Sequence, residues 1–208
     1  MGFESPQVHQ KTPYIVVFFV FKHLSNIHKW SRMGLHGINN KEDTVRRGIV
    51  VFSFALSSEE PNRCNRRLAR AAERIIAQEL MLTGKRPIVI AQWEVAAAML
   101  FPPDLIVREH HIPGKYLDSN EVMAQAAEFL RKLHVTEVIP VAQPFLQLGK
   151  CVSLTRKEGF RPLRRDIGWI GFYRKSIQWW TRNPILLVVG AVLQVLFGYP
   201  QKKLPWLR

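Results

Sequence analysis

Four short apolar runs punctuate the chain, and the patterns between them constrain the fold more than any other feature. Residues 48–56 read GIVVFSFAL, residues 87–91 PIVIA and residues 137–142 EVIPVA, while residues 104–107, DLIV, make a weaker run. Short runs rich in β-branched residues suit strands buried on both faces. Between the first two runs, Leu68, Ala71, Ala72, Ile75, Ile76 and Leu80 recur at helical steps. Arg63, Arg66, Arg67, Arg70 and Arg74 fall mostly on another face, so an amphipathic helix is predicted over 62–82, stopped at Thr83-Gly84. A shorter helix is predicted over 95–101, closed by Pro102-Pro103. Another runs to Leu133 with Val122, Ala126, Phe129 and Leu130 inward. Asp118 or Ser119 can cap it, and Glu121 lies in its first turn. A further helix follows Gln143-Pro144 through Phe145, Leu148, Val152 and Leu154 to Gly159. Strands alternating with helices imply crossover connections, and so an α/β domain of three layers, α/β/α, with a mainly parallel sheet.

The domain is expected over residues 48–199. Ahead of it, residues 1–47 are poorly patterned. Their apolar run YIVVFFVF, Tyr14 to Phe21, falls short of the roughly 20 residues a spanning helix needs. Lys22-His23 then stands where a signal peptide would carry small residues, so the segment reads as an extension or an added edge strand. After Gly159, residues 161–173 predict a short strand plus loop, and residues 176–181 and 184–199 predict helices. Residues 200–208 form a basic-aromatic tail. Cys64 and Cys151 have no paired spacing, which reads as reduced thiols of a cytosolic protein, with Cys151 packed in a helix.

The net charge of +14 is concentrated at one end. Residues 150–208 hold 12 Lys and Arg against 2 Asp and Glu, while residues 48–149 hold 11 of each. An anionic partner is therefore expected at the C-terminal quarter. There Arg161, Arg164, Arg165, Arg174 and Lys175 interleave with Trp169, Phe172, Tyr173, Trp179 and Trp180. This composition suits an anionic surface with interfacial aromatics, or stacking on single-stranded nucleic acid; a solvated rim around packed aromatics is the plainer reading. The apolar segment at 184–198 favours a membrane surface over nucleic acid. Whether that helix is buried in the fold or docks on the membrane is left open by its pattern.

In an open parallel sheet, ligands bind outside the carboxyl ends of the strands. The polar residues expected there are Ser53, Gln92, Glu94 and Gln143, with Ser119 at the start of a later helix. Glu94 is the candidate acid or base, or simply a carboxylate favoured by a helix N-terminus. Gln143 directly follows a buried strand, where an amide can both donate and accept. No GxSxG, Walker or GxGxxG sequence occurs, which disfavours serine hydrolase, P-loop and dinucleotide-dependent dehydrogenase chemistry. His110-His111 beside Glu109 lacks an i,i+4 pair or a Cys partner and reads as a solvated loop, so no metal is expected. No cofactor is assigned.

In element order the chain resembles the SanA/ElyC/YdcF-like domain family over roughly residues 48–199. The matching stretches are VVFSFAL at 50–56, VIAQWEVA at 89–96, DSNEVMAQA at 118–126, and the strand, turn and helix from Pro140 to Phe160. The resemblance implies a Rossmann-like fold and a role in cell-envelope metabolism. It retains Glu94 and the Asp118-Ser119-Glu121 element. Ser53-Phe54-Ala55 stands where the family carries glycines, Leu146 where it carries His, and Gly149-Lys150 where it carries Arg. The expected function is binding of a small anionic or nucleotide-like ligand at the strand ends by a divergent member, cytoplasmic and associated peripherally with the inner membrane surface. The alternative is a non-catalytic interaction protein that binds an envelope or nucleic-acid partner through its C-terminal segment. Catalysis and oligomeric state are not read from the sequence.

Overall fold

The computed structural model describes residues 46–113 and 117–197. The chain divides after Glu42, and everything described lies in the second part, Asp43–Arg208. The expectations for residues 1–45, for the tail at 200–208 and for the end of the last helix beyond Phe197 lie outside the described residues.

Five strands make one parallel sheet: β1 (Arg47–Val51), β2 (Ile88–Gln92), β3 (Leu105–Val107), β4 (Glu137–Val141) and β5 (Arg161–Pro162), in the order β3-β2-β1-β4-β5. The helices are α1 (Arg63–Thr83), α2 (Trp93–Ala96), α3 (Ser119–Lys132), α4 (Gln147–Lys157) and α5 (Pro184–Phe197). Because side chains alternate across a strand, β1 feeds two cores. Ile49 and Val51 join Ile139 and Val141 against α1, while Val50 joins Ile88, Ile90 and Val138 against α3 and α4. The chain is thus a Rossmann-like three-layer α/β/α domain. Gly48 permits a close approach between layers, since a Cβ there would stand 2.8 Å from Leu130 Cδ2.

Pro140 sits inside β4 without breaking the sheet. Val138 O accepts from Leu163 N on the β5 side, and Pro140, two residues on, faces the same way. Pairing with β5 ends at Val138, so the missing N–H deprives no strand partner.

Three expectations are corrected. Leu80 is 46% exposed, and Glu79 is buried in its place, because the inward stripe continues Leu68, Ala72, Ile75, Glu79 at helical steps. The helix expected over 95–101 begins at Trp93 and ends at Ala96. Residues 176–181 form only a 3-10 turn, Trp179–Thr181, because the Ser176 hydroxyl draws the backbone elsewhere. It accepts from Leu56 N at 3.2 Å and Gln178 N at 3.1 Å, and it donates to Leu56 O. A side chain that competes for backbone groups in this way favours a turn over a helix.

At the amino end of the sheet two carboxylates are buried and fully paired. Glu79 meets Arg47 and Arg165, each at 2.6 Å, and Glu137 meets Arg47 at 2.9 Å and also Arg161. Arg161 and Arg165, expected at an anionic surface, here neutralise internal charge; burying either glutamate without a counter-ion would be prohibitive. Arg164, Arg174 and Lys175 are exposed.

Candidate functional site

The strand order places a topological switch at β1 and β4. From β1 the chain proceeds through β2 to β3 on one side, while β4 and β5 lie on the other. The loops after β1 and β4 therefore part at their carboxyl ends and open a crevice. A cavity of about 280 Å³ lies there.

Its floor comes from the loop after β1, where Ser53, Phe54 and Ala55 line it. This loop is held from α1: Asn65 Oδ1 accepts from Phe54 N at 2.9 Å, and Asn62 Nδ2 donates to Ala55 O at 3.1 Å. Glu60 braces both asparagines, accepting from Asn62 N, Asn62 Nδ2 and Asn65 Nδ2. Ala55 sits at a φ of 65°, a left-handed conformation that favours glycine. The loop thus adopts a glycine-like backbone at Ala55 while carrying a Cβ.

One wall comes from Gln92 and from Asp118 and Ser119 at the start of α3. Asp118 is the N-cap, accepting from Asn120 N at 2.8 Å and Glu121 N at 3.0 Å, so the first amides of α3 are already satisfied. The opposite wall is the start of α4, with Leu146, Gln147 and Lys150. Leu146, the N-cap residue of α4, makes no side-chain cap bond, and in the first turn Leu148 N donates to Gln143 O at 3.0 Å. Gln147 staples the two parted loops, donating to Ser53 O at 2.8 Å and accepting from Gln143 N at 3.2 Å. The roof is Gln178, Trp180 and Thr181 with Leu187 and Ala191 of α5.

A short polar chain leads inward from this cavity. Ser53 N donates to Gln92 Oε1 at 3.1 Å, and Gln92 Nε2 reaches Glu94 Oε1 at 3.4 Å. Glu94 is 5% exposed, and its Oε2 has no hydrogen-bond partner among the described residues. Burial pushes its carboxyl up to about 7, with the nearby Glu60 charge adding to the rise, against the backbone amide, Gln92 and Ser53, which favour ionisation. Such a group is close to half protonated at neutral pH, which suits an acid or base.

Of the residues expected at the strand ends, Ser53, Gln92 and Ser119 share the cavity, and Glu94 stands one side chain behind it. Gln143 does not line it. Its side chain is fully buried, with Oε1 accepting from Phe145 N at 2.9 Å and Nε2 without a partner among the described residues. The tight Gln143-Pro144-Phe145 turn folds that amide back on its own backbone. Lys150 and Gln147 take the place expected for it. The sequence marks Lys150 only by its place in the helix that follows the β4 turn; the roof had no local signal at all.

Two other sequence features are accounted for by packing. Cys151 is fully buried, and burial pushes its thiol up to about 12, so it is protonated and inert at neutral pH. Glu121 turns back to the histidine loop, meeting His111 Nδ1 at 2.7 Å and His110 Nε2 at 3.3 Å. Among the described residues no three or more His, Cys, Asp and Glu side chains converge as metal ligands.

No family model, curated protein or solved structure matches this chain.

Proposed function

We propose that this domain binds a small anionic or nucleotide-like molecule in the switch-point crevice. The observation that carries the reading is the placement of Lys150, in the first turn of α4, across the cavity from Ser53, Gln92 and Ser119. A lysine beside helix amides favours a phosphate or carboxylate, and Trp180, which lines the roof, is an aromatic partner for a base or sugar ring. The volume of about 280 Å³ lies just below the usual range for small-ligand sites, about 300–1,000 Å³. It suits a mononucleotide or a phosphosugar and is too small for a dinucleotide. If the bound molecule is transformed, Glu94 is the acid or base, reached through Gln92 and Ser53. Assignment to cell-envelope metabolism rests on the resemblance to the SanA/ElyC/YdcF-like family.

Thermal unfolding in the presence of nucleoside monophosphates, sugar phosphates and inorganic phosphate tests this. A ligand at 100 times its Kd stabilises the folded state by about 2.7 kcal/mol. Lys150→Ala should weaken that ligand about tenfold or more, the contribution of one charge-assisted hydrogen bond. If no compound in the panel raises Tm, or if Lys150→Ala leaves the shift unchanged, the reading is wrong.

A further inference from the structure

Helix α5 has two apolar faces, and among the described residues only one is packed against the fold. Its inner face packs on the 3-10 turn. Leu187 is 8% exposed, and Gly190 lies so close to Trp180 that a Cβ there would stand 2.5 Å from the Trp180 Cβ. Its outer face presents Ile185 at 74%, Val188 and Val189 at 44%, Val192 at 51% and Leu193 at 39% exposure. These five positions follow the i, i+3, i+4, i+7, i+8 pattern of a single helical stripe. A surface helix normally turns polar side chains outward, so this stripe is built to be covered.

The charge around it identifies the cover. No Asp or Glu follows Asp166 in the chain, whereas Arg174, Lys175, Arg182, Lys202, Lys203 and Arg208 do. Arg174, Lys175 and Arg182 are exposed within ten residues of the start of α5. Two copies meeting through this stripe would bring like charges together with no acidic residue in either segment to offset them, which disfavours self-association. An anionic lipid surface supplies both an apolar phase for the stripe and negative charge for the arginines and lysines. With 14 residues, α5 is about 21 Å long, shorter than the roughly 30 Å hydrocarbon core. No helix among the described residues is long and apolar enough to cross a membrane, so the geometry is that of a helix lying in the interface.

We propose that the outer face of α5, flanked by Arg174, Lys175 and Arg182, docks the protein on anionic lipid bilayers. This is independent of what the crevice binds.

Co-sedimentation of the full chain with phosphatidylcholine vesicles, with and without phosphatidylglycerol, is the test. The wild type should partition onto the phosphatidylglycerol-containing vesicles and be released by salt. The double variant Val188→Asp/Val192→Asp should lose about tenfold or more in partitioning, since it places two charges in the docked face. Its Tm should be unchanged, because both side chains are exposed in the free protein. Arg174→Ala/Lys175→Ala should weaken partitioning by about fivefold per residue on anionic vesicles and not at all on neutral ones. Absence of vesicle binding overturns the proposal, as does binding insensitive to the valine pair. So does a dimer in light scattering that Val192→Asp dissociates, which would make the stripe a self-association face.

Discussion

The buried carboxyl of Glu94 makes the pH dependence of stability a sharp measurement. Its side chain sits 5% exposed with one oxygen unpartnered among the described residues, and burial raises its proton affinity from an ordinary 4.5 to about 7. The folded state therefore holds this proton more tightly than the unfolded chain does. Below pH 4.5 both states are protonated and folding incurs no ionisation cost; the cost accrues from pH 4.5 to about 7 and is complete above that. A tenfold difference in proton affinity is worth about 1.4 kcal/mol, so the full cost is about 3 kcal/mol. Glu94→Gln keeps the shape and removes the titration. The variant's stability relative to wild type should rise by about 3 kcal/mol between pH 4.5 and about pH 8, which for a domain of this size is about 6–12 °C in Tm. Any new contact of the introduced amide with Gln92 adds a constant offset, so the quantity to read is the change with pH. Thermal unfolding of both proteins across that range, followed by far-UV circular dichroism, supplies it. Parallel Tm curves would mean that Glu94 is hydrated and ionised at its ordinary pKa. That result would remove the physical basis for assigning it an acid or base role.

Two further outcomes bear on the scaffold. Arg165→Ala removes one of the two partners of Glu79, whose side chain is 1% exposed and which keeps Arg47, and should cost about 1.5–3 kcal/mol in urea unfolding. The exposed Arg131–Glu158 pair is the control, and Arg131→Ala should cost less than about 1 kcal/mol. Gly190→Ala should destabilise by about 1–3 kcal/mol despite the better helix propensity of alanine, because its Cβ would overlap Trp180. The same variant should reduce any ligand-induced Tm shift, since Trp180 roofs the crevice.

The local chemistry of the chain was enough to place its strands and most of its helices. A β-branched run buried on both faces and a stripe at 3.6-residue spacing are properties of contiguous residues, so β1, α1, β2 and α3 were legible. The same holds for Ser53 and Gln92, because a residue just past a buried strand must emerge at the sheet's edge wherever that strand lies in the order. The N-cap Asp118 was legible for the same reason, since it satisfies amides two and three residues away.

What only the tertiary structure decided depends on partners distant in sequence. Gln143 had the right position for a ligand, but a turn with its own neighbours buried its amide, and Gln147 and Lys150 face the crevice instead. Arg161 and Arg165 read as surface charge, yet Glu137 and Glu79, 24 and 86 residues earlier, claim them. The roof of the cavity exists because Ser176 bonds to Leu56 across 120 positions. Periodicity records which side of an element is apolar; it does not record what each polar group will meet. Pairings of that kind are fixed by three-dimensional proximity, and in this protein they separate the charges that hold the sheet together from those left exposed.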